Sequence, residues 1–444
     1  MIGITGYGVY TPFYKLERAA IGSFWGGARP PGERAVANFD EDSVTMAVEA
    51  CRDCLEDVSA QTVKSLYLSS TSLPFAEKQN AVFVATALDL QRQTLTSDLT
   101  GSLRAGTNGL LQATAQCSSD KDQALVVASD TRLAKPFGSK EMAIGDAAAA
   151  LAVGKQDVIA EIEKTYSNYE EIYDTYRTAG SPFIHDWDER FGRESGYIRT
   201  MTTGIKEALE NWGMQPGDFQ KIVVSASNPG YLKKTLKTLG FDLKQQKADD
   251  PLFQAIGFTG APHPFLLLCA ALETAQPGER ILFAAYGDGC DIFSLKTTDA
   301  IAQFQKKQKI QTLLENRGPV SYQKYLRWKN LVEMEPAKRP KQETASSVAL
   351  YRDQKCGMAF NGSKCRNCGQ IQYPVQRICM NCRAKDDFEY FSFADKKGHI
   401  TTFSHDFLAV TPDPPATLAA VDFEPGGRVM LDITDREPDA VHIG

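Results

Sequence analysis

Leu103-Arg-Ala-Gly-Thr-Asn-Gly-Leu-Leu-Gln-Ala-Thr-Ala-Gln116, followed after a short polar connection by Gln123-Ala-Leu-Val-Val-Ala128, sets the fold class. Apolar residues recur at helical spacing in the first segment. The second is a short continuous apolar run typical of a buried strand. The alternation continues outward from this pair. Strands are expected at Ile2 to Val9, Ser65 to Leu68, Ala147 to Val153, Lys221 to Ser225 and Arg280 to Tyr286, with helices at Asp42 to Leu55, Tyr197 to Trp212, Tyr231 to Leu239 and Pro264 to Ala275. Strands separated by helices imply an α/β sheet covered by helices on its faces. Two such sets, 1–165 and 166–315, suggest a duplicated α/β/α architecture from element order alone.

Composition narrows the function classes. The chain has 444 residues, 43% of them hydrophobic and 23% charged, enough apolar material for about three folding units. No apolar run approaches the roughly 18 residues that cross a bilayer, so no membrane partner and a cytoplasmic location are expected. The net charge of −6 offers no electrostatic pull toward nucleic acid.

Four of the ten cysteines stand apart. Cys365-x2-Cys368 and Cys379-x2-Cys382 are two knuckles whose thiolates can converge on one tetrahedral ion, and four thiolates leave no open position for catalysis. A structural zinc site in a ribbon over 352–387 is therefore expected. Cys51-x2-Cys54 lies on a helical pattern with Asp42 or Ser43 as its cap, and reads as packed thiols rather than a redox pair. Between the α/β part and the ribbon, 316–351 reads as a helical linker, with a helix at Val320 to Val332 and a polar, Pro-containing stretch from Glu335. After the ribbon, 388–444 shows short alternating runs at Ile400 to Ser404, Ala416 to Phe423 and Arg428 to Ile433, the pattern of a small barrel expected to be incomplete.

Several motifs, in order along about 300 residues, together resemble 3-hydroxy-3-methylglutaryl-CoA synthase of the archaeal and bacterial type, a member of the thiolase superfamily. They are Gly3-Ile-Thr-Gly-Tyr-Gly-Val-Tyr-Thr-Pro12, Asp40-Glu-Asp-Ser-Val-Thr-Met-Ala-Val-Glu-Ala50, Arg104-Ala-Gly-Thr-Asn-Gly-Leu110, Gly145-Asp-Ala-Ala-Ala-Ala-Leu151 and Tyr286-Gly-Asp-Gly289. Residues Cys365-Arg-Asn-Cys-Gly369, Pro374 and Cys379-Met-Asn-Cys382 resemble the zinc-ribbon plus OB-fold family that accompanies thiolase-like enzymes as a separate subunit or a fusion. The resemblance implies a thiolase-like fold, acyl-CoA as ligand, and a homodimer or a heteromer with a thiolase-like subunit.

It also implies where the catalytic residues belong, and this chain departs from the family at each place. The nucleophilic cysteine of Cys-Lys-Ala-Gly-Thr is replaced by Leu103, which cannot be acylated; Ser102 beside it reads as a helix cap. Thr71 stands where the acid/base glutamate is expected and Ser227 where the catalytic histidine is expected. The acetyl-enzyme route is therefore expected to be absent. Two other residues become candidates for proton transfer: His263, in a His-Pro resembling the Gly-His-Pro of thiolases, and Tyr286, where thiolase-like aldolases use tyrosine. Asp288 and Cys290 are weaker candidates, and Asp146 reads as structural. Lys233 and Lys234 are candidates for the CoA phosphates, and the charged, aromatic stretch from His185 to Tyr197 is a candidate wall of the acyl pocket or of a dimer interface. Three functions fit: a CoA-thioester protein working on C–C bonds by a non-acylating aldol or retro-aldol route, a noncatalytic scaffold of an acyl-CoA enzyme, and a synthase-like acyltransferase.

Overall fold

Ala147-Ala-Ala-Ala-Leu-Ala-Val-Gly154 is buried along its whole length, although alanine is a poor strand former. Its small side chains let helices approach the sheet from both faces. In the computed structural model, which describes residues 1–444 except 57, 118, 247–248, 305, 307–308 and 336–344, this strand lies inside a nine-stranded sheet. We number its strands β1 (Gly3–Tyr10), β2 (Val63–Ser69), β3 (Leu95–Leu99), β4 (Gln123–Asp130), β5 (Ala147–Gly154), β6 (Ala160–Tyr169), β7 (Lys221–Val224), β8 (Arg280–Tyr286) and β9 (Gly289–Thr297). Their order is β7-β8-β9-β6-β1-β5-β4-β2-β3.

The order contains a repeat. In the first half β1 pairs antiparallel with β5, β5 antiparallel with β4, and β4 parallel with β2. In the second, β6 pairs antiparallel with β9, β9 antiparallel with β8, and β8 parallel with β7. The halves meet where β1 and β6 pair through Gly3↔Glu161 and Ile4↔Ala160. The duplication expected from element order is thus present as matched strand direction.

Helices α1 (Ser43–Leu55), α2 (Ala105–Gln116), α3 (Arg199–Trp212), α4 (Pro229–Thr238) and α5 (His263–Leu272) cover the sheet. Asp42 caps α1 in a reciprocal arrangement with Thr45, Asn228 caps α4 ahead of Pro229, and α3 stops at Gly213 in the left-handed conformation. Helix α5 is apolar on nearly all sides and packs on β5, β1, β7 and β8, so it contacts strands of both halves. Residues Ala147, Ala149, Leu151 and Val153 join the apolar cluster around α5, while α1 also packs on β5. Gly106 of α2 faces Phe265 of α5, where a Cβ would stand 3.4 Å from the ring. Cys51 and Cys54 are fully buried, as the packed-thiol reading requires. Three strands, β3, β6 and β9, lack a clear signature in sequence: β3 is an edge strand, and Ala160–Tyr169 has polar residues throughout.

Residues Met1–Ala85 and Leu90–Tyr322 form one compact unit, and Thr86–Asp89 with Gln323–Gly444 form a second. In the second unit, Asn361–Cys365 pairs antiparallel with both Ile371–Gln372 and Phe388–Ser392 in the ribbon. Gly398–Asp406, Ala416–Phe423 and Arg428–Asp432, at the runs expected from sequence, form an antiparallel three-stranded sheet. Phe393, Val421, Phe423 and Val429 are the core of this unit. The expected linker helix is shorter, Tyr322–Trp328, and the Pro-containing stretch after Glu335 falls largely outside the described residues. No helix among the described residues is long and apolar enough to cross a membrane.

Candidate active site

The start of α2 opens into a cleft made of two adjoining cavities, of about 300 Å³ and 160 Å³. Leu103, Arg132, Asp174, Ile184 and Tyr286 line both. Thr71, Ser102 and Asp288 belong to the first cavity and Ser227, Asn228 and Tyr197 to the second. The three positions where the sequence departs from the synthase pattern, Thr71, Leu103 and Ser227, therefore converge on one place. None offers a conventional nucleophile–base pair. The Thr71 hydroxyl is already held by Asp130, at 3.0 and 3.1 Å from its two oxygens, and the Ser102 Oγ lies 3.4 Å from the Arg104 N–H.

Buried carboxylates fix this floor. Asp130, at the end of β4, accepts from the Ser70 and Ser72 hydroxyls, from the Thr71 N–H and hydroxyl, and from the Ala261 N–H. Asp291, fully buried in β9, accepts from Thr107 and Asn108 of α2, from Ser167, and from Arg104 at 3.1 Å. These bonds tie the helix start in the first half to a strand in the second. Gly287 permits the close approach: a Cβ there would stand 2.8 Å from the Arg104 nitrogen.

Tyr286 ends β8 with its hydroxyl donating to Asp174 at 3.1 Å. Burial pushes the Asp174 carboxyl up, partly offset by the Tyr286 bond and Lys140, and burial with the Asp174 charge pushes the Tyr286 phenol up. The segment Gly192–Ile198, wound more widely than an α-helix, leaves room for the pair. A Cβ on Gly192 would stand 2.5 Å from the Asp174 Oδ1, and one on Gly196 would stand 2.8 Å from the Tyr286 hydroxyl. The Tyr197 ring meets Tyr286 edge-on at 5.2 Å, and its hydroxyl donates to the Ser225 carbonyl. The stretch from His185 to Tyr197 thus contributes Asp186, Glu189 and Tyr197 to the cleft wall.

The structure places the other sequence candidates differently. His263 is fully buried and lines neither cavity; its Nε2 is 2.8 Å from Asp250, its Nδ1 faces Thr259, and its ring lies against Phe258, which does line the second cavity. Burial alone would raise the Asp250 carboxyl, but His263 and the Phe253 and Leu252 N–H groups outweigh it and hold it below the usual range. Both ring nitrogens of His263 are therefore engaged away from the cleft. Cys290 is buried against Gly204 with its thiol pushed up to about 12, chiefly by burial. Asp146 accepts from the Ala37 N–H, a structural role. Lys233 is exposed on α4, and Lys234 pairs with Glu194 at 2.7 Å. Sequence reasoning missed Asp174 and Arg132. Arg132 had a signal, since it follows the end of β4 in Ser129-Asp-Thr-Arg132, where α/β sheets place ligand-binding loops.

In the second unit the sulfurs of Cys365, Cys368, Cys379 and Cys382 all lie within 4.8 Å of one another, with Cys365–Cys382 at 3.6 Å and Cys368–Cys379 at 3.5 Å. A tetrahedral zinc with Zn–S bonds of about 2.3 Å sets its sulfurs roughly 3.8 Å apart. The four cysteines fit that ion. It would tie the two knuckles together and leave no coordination site for substrate.

Two joined α/β halves with a cleft at the start of the buried helix α2 define a thiolase-fold protein. Over 348 residues the chain is 31% identical to the hydroxymethylglutaryl-CoA synthase of Methanocaldococcus jannaschii, covering 75% of this chain and 100% of that protein. It is 32% identical over 336 residues to the same enzyme of Aeropyrum pernix, covering 73% and 92%. The chain belongs to the hydroxymethylglutaryl-CoA synthase family. Its fold is similar to that of an HMG-CoA synthase solved in complex with CoA, with a TM-score of 0.67 at 19% identity over 78% of this chain and 95% of that one. The HMG synthase of the curacin biosynthetic pathway, solved with holo donor-ACP, gives 0.67 at 18% identity over 88% and 99%. Residues 360–389 match the ChsH2 rubredoxin-like zinc ribbon domain.

Proposed function

We propose that this protein binds a CoA thioester and makes or breaks a C–C bond by a non-acylating aldol or retro-aldol route. The observation that carries this reading is the replacement of a nucleophile by Leu103 in a cleft that also holds the Tyr286–Asp174 pair. In the cleavage direction the β-hydroxyl of a 3-hydroxyacyl thioester gives its proton to Tyr286 as Tyr286 passes its own to Asp174. The Cα–Cβ bond then breaks to a carbonyl compound and a thioester enolate, and the proton returns to Cα. The positive end of the α2 dipole faces the developing enolate. His263, behind Phe258, acts here by holding the turn at Thr259 rather than by touching substrate.

In the same reading Lys233 and Lys234 on α4, whose cap Asn228 lines the cleft, meet the CoA phosphates. The cysteine cluster holds one structural zinc. The protein works in the cytoplasm as a homodimer or with a thiolase-like subunit, with domain limits of 1–165, 166–315, 316–351, 352–387 and 388–444. The deciding experiment is a structure with a 3-hydroxyacyl-CoA bound, together with retro-aldol assays of the Tyr286→Phe protein. A thioester seated beside Tyr286 and a large loss of turnover support the reading. A thioester position blocked by Leu103, with a partner enzyme's turnover unchanged by the substitution, leaves the scaffold role in its place. A covalent acyl adduct restores the acyltransferase.

A further inference from the structure

Beyond the Tyr286–Asp174 pair, the second cavity holds a fixed ion pair that the reaction above leaves unused. Lys140 places its ammonium 2.7 Å from Asp186 Oδ2 and 3.5 Å from the Thr175 hydroxyl, and that hydroxyl donates to Asp186 Oδ1 at 2.9 Å. Lys140, Asp174, Thr175 and Asp186 all line this cavity. Local structure brings them together. Thr175 and Asp186 are directly opposite in the antiparallel pair of Thr175–Tyr176 with His185–Asp186, so their side chains share one face. Lys140 reaches them from the short helix Ser139–Ala143. A charge-assisted bond to Asp186 and the longer contact with Thr175 hold a side chain that would otherwise sample many rotamers. The side chains of Lys140 and Asp186 are 29% and 25% exposed, so the pair sits in the cavity wall rather than in open solvent.

Asp174 immediately precedes Thr175. In the proposed reaction it has to be ionised at rest, because a protonated carboxyl cannot take the proton that Tyr286 passes on. Burial works against that and raises its carboxyl; the Tyr286 bond and then Lys140 oppose burial, and Lys140 outweighs the repulsion from Asp186. Arg132 and the Tyr231 phenol also face it. We infer that Lys140 is a positioning residue of this site: anchored by Asp186 and Thr175, its ammonium keeps Asp174 in the charged form that accepts from Tyr286, acting through that carboxylate rather than on the substrate. The proposal rests on the aldol reading above and adds the cation that sets the working pH of its base. Asp186 has two opposed effects: it fixes the ammonium, and it brings a second negative charge toward Asp174. Removing one partner of the pair or the other should therefore move Asp174 in opposite directions.

The test follows Asp174 directly in the full chain, by carbon NMR of isotope-labelled aspartate carboxyls, with its signal identified as the one missing from Asp174→Asn. Lys140→Met should raise the Asp174 titration midpoint by about one pH unit, the scale of a nearby opposite charge. Lys140→Arg should keep most of the wild-type value, and Asp186→Asn should lower the midpoint. In parallel, kcat/KM is measured against pH for retro-aldol cleavage of 3-hydroxybutyryl- to 3-hydroxydecanoyl-CoA. Its acidic limb should shift upward with the midpoint in Lys140→Met, while the plateau rate stays within a few-fold. A residue that only packs would change stability or the plateau and leave the limb in place. An Asp174 midpoint unmoved in Lys140→Met overturns the proposal, as does a limb that moves without it. A midpoint that moves in protein with no retro-aldol turnover supports the coupling of Lys140 to Asp174 and overturns the aldol reading. If Lys140→Met does not fold, Asp186→Asn decides: a lower midpoint supports the proposal and an unchanged one overturns it.

Discussion

The Tyr286 hydroxyl and the Asp174 carboxylate are joined by a 3.1 Å hydrogen bond across the cleft, and the glycines at 192 and 196 keep the space around them open. Removing the phenolic oxygen takes away the atom that carries the proton in the proposed route and leaves the ring in place. Tyr286→Phe is expected to lower retro-aldol turnover by about 10²-fold, the ordinary scale for lost general acid–base help, and to cost about 1–3 kcal/mol in stability for the Asp174 acceptor it leaves unpaired. Steady-state kinetics beside a urea titration check it.

Asp174 gives a pH-dependent counterpart. Its folded carboxyl is raised by burial, so the native state binds more protons than the unfolded chain between the unfolded value near 3.9 and the folded value. This group's contribution to stability is therefore full below about pH 3.9 and is lost as pH rises through the folded value. Asparagine keeps an acceptor for Tyr286 and cannot ionise. Asp174→Asn should be more stable than wild type at neutral pH, with the gap closing on acidification toward pH 4. Urea midpoints measured across that range test the sign.

His263 should behave as a support rather than a proton carrier. Its Nε2 is 2.8 Å from the buried Asp250, and truncation strands that carboxylate. His263→Ala is expected to cost about 3 kcal/mol or more in stability. Turnover per folded molecule should fall less than in Tyr286→Phe. A stable His263→Ala protein with turnover as low as that of Tyr286→Phe would return the histidine to the reaction.

Acetyl-CoA should leave no covalent adduct on this chain. Leu103 has no nucleophilic atom, Thr71 is tied to Asp130, and the Cys290 thiol is held far above neutral pH. Intact-mass spectrometry after incubation and acid quench should show the unmodified mass, and an ester or thioester on any cleft residue would contradict this.

One zinc per chain is expected at Cys365, Cys368, Cys379 and Cys382. Cys382→Ser should lower zinc content and destabilise the 323–444 unit, because metal binding and folding are coupled in small ribbons. Metal analysis with limited proteolysis reads both effects; undiminished zinc in the variant would place the ion elsewhere.

The sequence made some of this legible and hid the rest for physical reasons. Strands such as β5 and β8 are buried and read as continuous apolar runs, and the cysteine knuckles are local, so both could be recognised from neighbouring residues alone. Strand β6 carries Glu161, Glu163, Lys164 and Asn168, and its polar residues concealed it. The cleft was half visible. Leu103, Thr71 and Ser227 were found by their motif positions and do converge, but Asp174 sits in a stretch with little regular structure and no motif. His263 could not be judged without knowing that Asp250, thirteen residues earlier, folds back onto its ring. Only tertiary structure reveals that Arg132 is buried at the cleft with its Nε unbonded among the described residues.

Asp291 has a consequence for how this chain can be divided. It is the common acceptor for Arg104, Thr107 and Asn108, so a fragment ending at residue 165 would leave those donors facing solvent and the start of α2 unanchored. A fragment beginning after it would carry a buried carboxylate stripped of most of its donors. The two halves share one folding pattern, but the polar bonds between them make the pair indivisible. Neither half can evolve its side of the cleft, be swapped for a homologue, or be produced separately without losing the geometry that the other holds in place.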